Sequence, residues 1–232
     1  MNSVNLRGVN VFPAKSADEL IDYANQRKGI LIAVNAEKMA NMTPELAALI
    51  NENIGYCDGS GVVLACRQKG FAEACKIAGC ELWLEIIKRN YQTSTFYIVG
   101  GRPEVYNATI EKLKADFPGI KIVGSRDGYL KKEADREALI RDVAEKRPEY
   151  VFVAMGSPKQ EFLMAEMKKR HPAVYQGLGG SFDVYTGRAK RASKWWIDHH
   201  AEFVYRLIHQ PSRIKRDWVR VKFAWWLLCK KF

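Results

Sequence analysis

The sequence predicts an α/β fold in which helices wrap both faces of a mostly parallel sheet, followed by a basic helical appendage. Three observations lead there. Short β-rich runs alternate with helix-length amphipathic segments through the first 187 residues. The strand candidates are near-continuous apolar runs, the pattern of strands buried on both faces. After Gly187 the strands stop and the charge turns strongly positive. Such alternation builds a doubly wound, Rossmann-like sheet. The division is a body at 1–187 and an appendage at 188–232.

The opening Val4–Phe12 alternates and reads as an edge strand or hairpin. Strands follow at Ile30–Asn35, Thr95–Gly100, Ile120–Gly124, Tyr150–Met155 and Val174–Leu178, with a further short strand before Cys57. Helical patterns cover Ala17–Arg27, Thr43–Asn51, Gly79–Asn90, Pro103–Asp116, Lys132–Lys146 and Ser157–Arg170. In the appendage, Trp195–Ile208 is helical, Gln210-Pro211-Ser212 breaks the helix, and a second begins near Arg213.

That last helix carries Ile214, Trp218, Val221, Trp225 and Leu228 on one apolar stripe, which an ordinary helix would pack on the body. Phe223, Trp226 and Leu227 make its other side apolar as well. A basic helix with three tryptophans and an apolar tip suits a membrane interface.

The net charge of +11 sharpens this reading because it is so uneven. From Arg188 to Phe232 there are twelve Lys or Arg and three acids, which holds nine of the eleven charges. A near-neutral body with a basic tail needs an anionic partner: lipid headgroups, a pyrophosphate or nucleic acid. The first twelve residues lack a signal-peptide apolar run, and no stretch approaches the ~18 apolar residues that span a bilayer. A soluble or peripheral protein is expected. Five cysteines, an odd number with no CxxC pair and no histidine nearby in sequence, read as free thiols in a reducing compartment rather than zinc ligands.

In doubly wound sheets, ligands bind at the carboxyl ends of the strands. Five segments fall there: Val34–Met39, Cys57–Gly61, Val99–Arg102, Met155–Glu161 and the glycine-rich Gly177–Asp183. Glycine admits a close phosphate, and helix N-termini favour its charge. Each has a purely structural alternative. Asp58 serves as an N-cap; Ser157, Pro158 and Gln160 form a capping box; Gly100-Gly101 is a tight turn. No GxGxxG is completed, which argues against a nicotinamide-dependent oxidoreductase. The convergence on one sheet edge is what favours a site.

The strings VNAEKM (from Val34), DGSGVV (Asp58), AGCELW (Ala78), VGGRPEV (Val99), GSRDGYL (Gly124), AMGSPKQE (Ala154), GLGGSFDVYTG (Gly177), RAKRA (Arg188) and FVYRLIHQPSRIKR (Phe203) occur in this order. In that order the chain resembles the WecG/TagA/CpsF glycosyltransferase family over about residues 5 to 222. The likeness is strongest to the branch that transfers N-acetylmannosaminuronic acid in enterobacterial common antigen synthesis. The sister branch, which transfers N-acetylmannosamine for teichoic acid, is the alternative.

The resemblance implies an inverting enzyme with no cofactor and no metal. Its donor is UDP-ManNAcA and its acceptor undecaprenyl-diphosphate-GlcNAc. It works in the cytoplasm, peripheral on the inner face of the cytoplasmic membrane. Asp58 is implied as the catalytic base, with Asn35 and Gln160 in the sugar pocket. Arg206, Arg213 and Arg216 are implied to hold the diphosphate, and the segment containing Gly179, Gly180 and Asp183 to line the uridine end. Glu81 stands where many relatives carry Asp, and Ser193 where RAP is common.

A sugar hydroxyl is a weak nucleophile, so a carboxylate must take its proton, and Asp58 at the head of a helix is expected to be ionised for that task. Without a metal, arginines and backbone N–H groups must meet the charge on the departing diphosphate. A nucleic-acid-binding protein would account for the basic tail but not for Asp58, Asn35 and Gln160 on one edge, so no nucleic-acid partner is expected. The sequence leaves a homo-oligomer open.

Overall fold

The computed structural model describes residues 3–189, 222–229 and 231–232. In chain order the elements are β1 (Val4–Leu6), β2 (Val9–Val11), α1 (Ala17–Arg27), β3 (Ile30–Val34), α2 (Ala36–Ala40), α3 (Pro44–Asn51), β4 (Ile54–Cys57), α4 (Ser60–Gln68), α5 (Gly79–Asn90), β5 (Thr95–Gly100), α6 (Pro103–Asp116), β6 (Lys121–Arg126), α7 (Glu133–Lys146), β7 (Tyr150–Ala154), α8 (Lys159–Arg170), β8 (Val174–Gly177) and α9 (Ser181–Tyr185). A helical segment at 222–228 follows.

Six strands form one fully parallel sheet in the order β4-β3-β8-β7-β5-β6. The expected doubly wound α/β fold is therefore observed. Alternation along the strands sorts side chains into two cores. Ile30, Ile32, Val34, Val151 and Val153 face α3, α4, α7 and α8. Leu31, Phe96, Ile98, Phe152 and Val174 face α1, α5 and α6. Strands β4 and β7 are buried throughout, which accounts for their unbroken apolar sequence. The edge strand β6 is only partly covered and ends in Arg126.

Neighbouring strands β5 and β7 lead in opposite directions, β5 outward to β6 and β7 back to β8 beside β3. Every loop that leaves a carboxyl end thus emerges on one edge, with this crossover near its centre.

The opening segment is a hairpin, with Val4 opposite Val11. Its two-residue turn places both Arg7 and Gly8 at positive φ, the twist that suits a tight antiparallel turn. The hairpin also receives the end of the chain. Phe223 and Trp226 are buried against the body. Arg7 stacks over the Trp226 ring at 4.1 Å and donates to the Lys231 carbonyl at 3.0 Å. Gly61 of α4 leaves the space that Phe223 fills, since a Cβ there would come within 2.7 Å of the ring. Gln68 Nε2 donates to the Leu227 carbonyl at 3.2 Å.

This corrects the expectation that Phe223 and Trp226 belong to a membrane-facing side: these rings pack on the body. Trp225 and Leu228 of the predicted stripe are instead 51% and 84% exposed. Ile214, Trp218 and Val221 of that stripe lie outside the described residues, as do the helix expected at 195–208 and the break at 210–212. Among the described residues no helix is long and apolar enough to cross a membrane.

Candidate active site

Asn35 follows β3 directly and caps α2, its Oδ1 accepting the Lys38 N–H at 2.9 Å. Its Nδ2 donates to Asp58 Oδ2 at 3.3 Å. Asp58 follows β4 but does not cap α4, whose N-cap is Gly59 without a side-chain bond. Asp58 Oδ1 instead accepts the N–H of Gly79, the first residue of α5, at 2.8 Å. A carboxylate is thereby fixed at the positive end of a 12-residue helix.

Gly79 is held on its other side as well, its carbonyl accepting from Gln176 Nε2 of β8 at 3.0 Å. The tightness of this junction requires glycine, since a Cβ would stand 2.7 Å from Tyr56 Oη.

Burial pushes the Asp58 carboxyl above its ordinary value. The Gly79 and Asn35 hydrogen bonds and the nearby charges of Lys76 and Lys38 oppose that rise. The group therefore has more affinity for a proton than a free aspartate, which suits a base that must accept one. Tyr56 beneath it is raised much further by burial and by the Asp58 charge, so it stays a neutral phenol.

Gln160 occupies the first turn of α8. The capping box expected for Ser157, Pro158 and Gln160 does not form: the helix opens at Lys159, with Pro158 at the N-cap and no side-chain cap bond. The Gln160 amide is drawn elsewhere. Its Oε1 accepts the Gly179 N–H at 2.9 Å, and its Nε2 donates to Glu161 Oε1 at 3.3 Å. Glu161 Oε1 also receives Lys38 Nζ at 2.6 Å.

Asp58, Asn35, Lys38, Glu161, Gln160 and Gly179 thus form one connected chain across the ends of β4, β3, β7 and β8. Gly180 is exposed at the N-cap of α9. Asp183 lies apart from this chain, its carboxylate 3.9 Å from Arg102 on the loop after β5. That loop is tied to the crossover by Gly101 N–H to the Ala154 carbonyl at 3.0 Å. Glu81 is exposed in the first turn of α5. Arg206, Arg213 and Arg216 lie outside the described residues. A cavity of ≈380 Å³ beside Tyr97, Arg126 and Asp142 shares no residue with this chain.

Lys38, Glu161, Gly79 and Gln176 were not singled out in the sequence. Lys38 and Glu161 stand inside two of the quoted strings, but their pairing spans 123 positions and leaves no trace in spacing. Gln176 has a local signal: a polar residue in an otherwise apolar strand.

The family model for the glycosyl transferase WecG/TagA/CpsF family matches residues 4–232. With nearly the whole sequence matched and a half-buried carboxylate held at the carboxyl edge of a parallel sheet, the chain belongs to the WecG/TagA/CpsF family of glycosyltransferases.

Proposed function

We propose that this glycosyltransferase moves N-acetylmannosaminuronic acid from UDP-ManNAcA to undecaprenyl-diphosphate-GlcNAc, with inversion, forming the lipid-linked disaccharide of enterobacterial common antigen. The observation that carries the chemistry is Asp58, held by the Gly79 N–H and the Asn35 amide and raised in proton affinity by burial.

In the reaction, Asp58 accepts the proton of the acceptor hydroxyl as its oxygen attacks the anomeric carbon from the face opposite UDP. One C–O bond forms while the bond to the diphosphate breaks, which inverts the centre. UDP leaves with the electron pair of the broken bond. Arg206, Arg213 and Arg216, taken from the family resemblance, neutralise the growing charge together with backbone N–H groups. Asn35 orients Asp58 and borders the sugar, while Gly179, Gly180 and Asp183 border the uridine end.

The acceptor's lipid places the enzyme on the cytoplasmic face of a membrane. Exposed Trp225 and Leu228, with Lys222 and Lys231 beside them, supply apolar and cationic contacts suited to an anionic surface. The body at 1–187 carries the chemistry and the appendage at 188–232 the membrane contact and the arginines.

The test is a donor panel on a synthetic lipid-diphosphate-GlcNAc acceptor, read by mass spectrometry. Transfer from UDP-ManNAcA alone supports the proposal. Transfer from UDP-ManNAc but not its uronic acid assigns the chain to the teichoic-acid type of reaction.

A further inference from the structure

Glu161 has no role in the chemistry above, yet its position is an expensive one. Its side chain is 1% exposed and that of its partner Lys38 9%. Oε1 takes both neighbouring donors, Lys38 Nζ and Gln160 Nε2, while Oε2 has no partner among the described residues. Buried ion pairs contribute little net stability, and apolar residues of similar volume often do as well. Stability alone therefore does not explain the pair.

Its geometry supplies another reason. An amide side chain can sit in either of two flipped orientations. An anionic Glu161 beside Gln160 requires the NH₂ end to face it, which leaves Oε1 to meet the Gly179 N–H. The end of β8 fits this arrangement, since a Cβ on Gly177 would lie 2.4 Å from Gln160 Nε2. Gln160 itself is 4% exposed, with both amide atoms engaged inside the protein. On the other side, Lys38 belongs to α2, the helix capped by the same Asn35 that holds Asp58.

We propose that Glu161, paired with Lys38, is a positioning residue: it fixes the flip of the Gln160 amide and, through it, the Gly179 backbone, setting the glycine-rich segment against the Asn35–Asp58 half of the site. The ligand that segment receives, the nucleotide end of the donor, rests on the function proposed above; the positioning itself does not.

Two variants test this in the full-length protein. Lys38→Met with Glu161→Leu removes both charges at similar volume, which avoids stranding one buried ion. Gln160→Met leaves the ion pair intact and removes the amide, so the test remains decidable if the double variant fails to fold. In each folded variant, hydrogen exchange at the Gly179 amide is expected to accelerate about tenfold or more, while exchange at Val151–Val153 stays as in wild type. The donor KM is expected to rise about tenfold with kcat changed less, because Asp58 keeps its Gly79 and Asn35 bonds.

Unchanged protection at Gly179 in Gln160→Met overturns the proposal. So does a double variant that folds with wild-type donor KM, or one in which only kcat falls. A wild-type protein that transfers no sugar would sink the glycosyltransfer reading, and the exchange data would still decide whether the pair positions Gly179.

Discussion

Asp58 closes the N-terminus of α5 and, in the function proposed above, also presents a base. Its raised proton affinity sets the direction of both pH effects. Catalysis needs the ionised form, so kcat/KM should fall as pH drops through a limb lying above the ordinary aspartate value of about 3.9. Asp58→Asn should lower turnover by about 10²-fold or more and abolish that limb. Near-normal turnover would remove Asp58 from the mechanism.

Stability runs the other way. A carboxyl raised in the folded state stabilises the fold below the unfolded value, and that contribution is lost as pH rises through the folded value. The melting temperature of Asp58→Asn relative to wild type should therefore increase from acid to neutral pH. A difference independent of pH would contradict the raised affinity. The sequence made Asp58 and Asn35 visible through their place after strands. Their mutual bond and the Gly79 contact, 23 and 21 positions apart, depend on sheet order and were not visible.

At the level of elements, the end of the chain is the most informative. In the described part of the final helix, 222–228, apolar residues do stand on two sides, but periodicity cannot say which side meets the body. The decision lies elsewhere in the sequence, at Gly61 of α4 and Arg7 of the hairpin, which accept Phe223 and Trp226. The two sides should therefore separate on mutation. Phe223→Ala should cost about 3 kcal/mol of stability, as truncation of a buried Phe generally does, readable by urea denaturation. Trp225→Gln with Leu228→Gln should leave that stability within about 0.5 kcal/mol, as substitutions at exposed sites do. The same double variant should weaken co-sedimentation with anionic vesicles at low salt. Vesicle binding equal to wild type would mark this face as a protein contact instead. Helix α8 shows a comparable limit: Ser157 and Gln160 satisfy the spacing of a capping box, but Gly179 and Glu161 compete successfully for the Gln160 amide.

For the whole molecule, strand–helix alternation was sufficient to predict a parallel doubly wound sheet. It did not determine the order β4-β3-β8-β7-β5-β6, because alternation fixes direction but not which strands become neighbours. That order is what brings loops from distant parts of the sequence onto one edge. Among the described residues Lys38 and Lys76 put positive charge near Asp58, and no three His, Cys, Asp or Glu side chains gather as metal ligands. If arginines from the appendage complete the charge balance, as proposed above, transfer should persist in excess EDTA. Abolition by EDTA with recovery on adding Mg²⁺ or Mn²⁺ would overturn that account of leaving-group stabilisation.

The contact between Arg7 and Lys231 joins residues 224 positions apart, and this bears on when the protein matures. Synthesis proceeds from the amino end, and domains tend to fold as they emerge. The hairpin and α4 are made early, but their apolar surfaces around Gly61 stay uncovered until residues 223–232 have left the ribosome. The wall behind the helix that follows Asp58 is thus completed only after all six strands of the sheet have been made, so a nascent chain can hold its sheet in place before that wall closes.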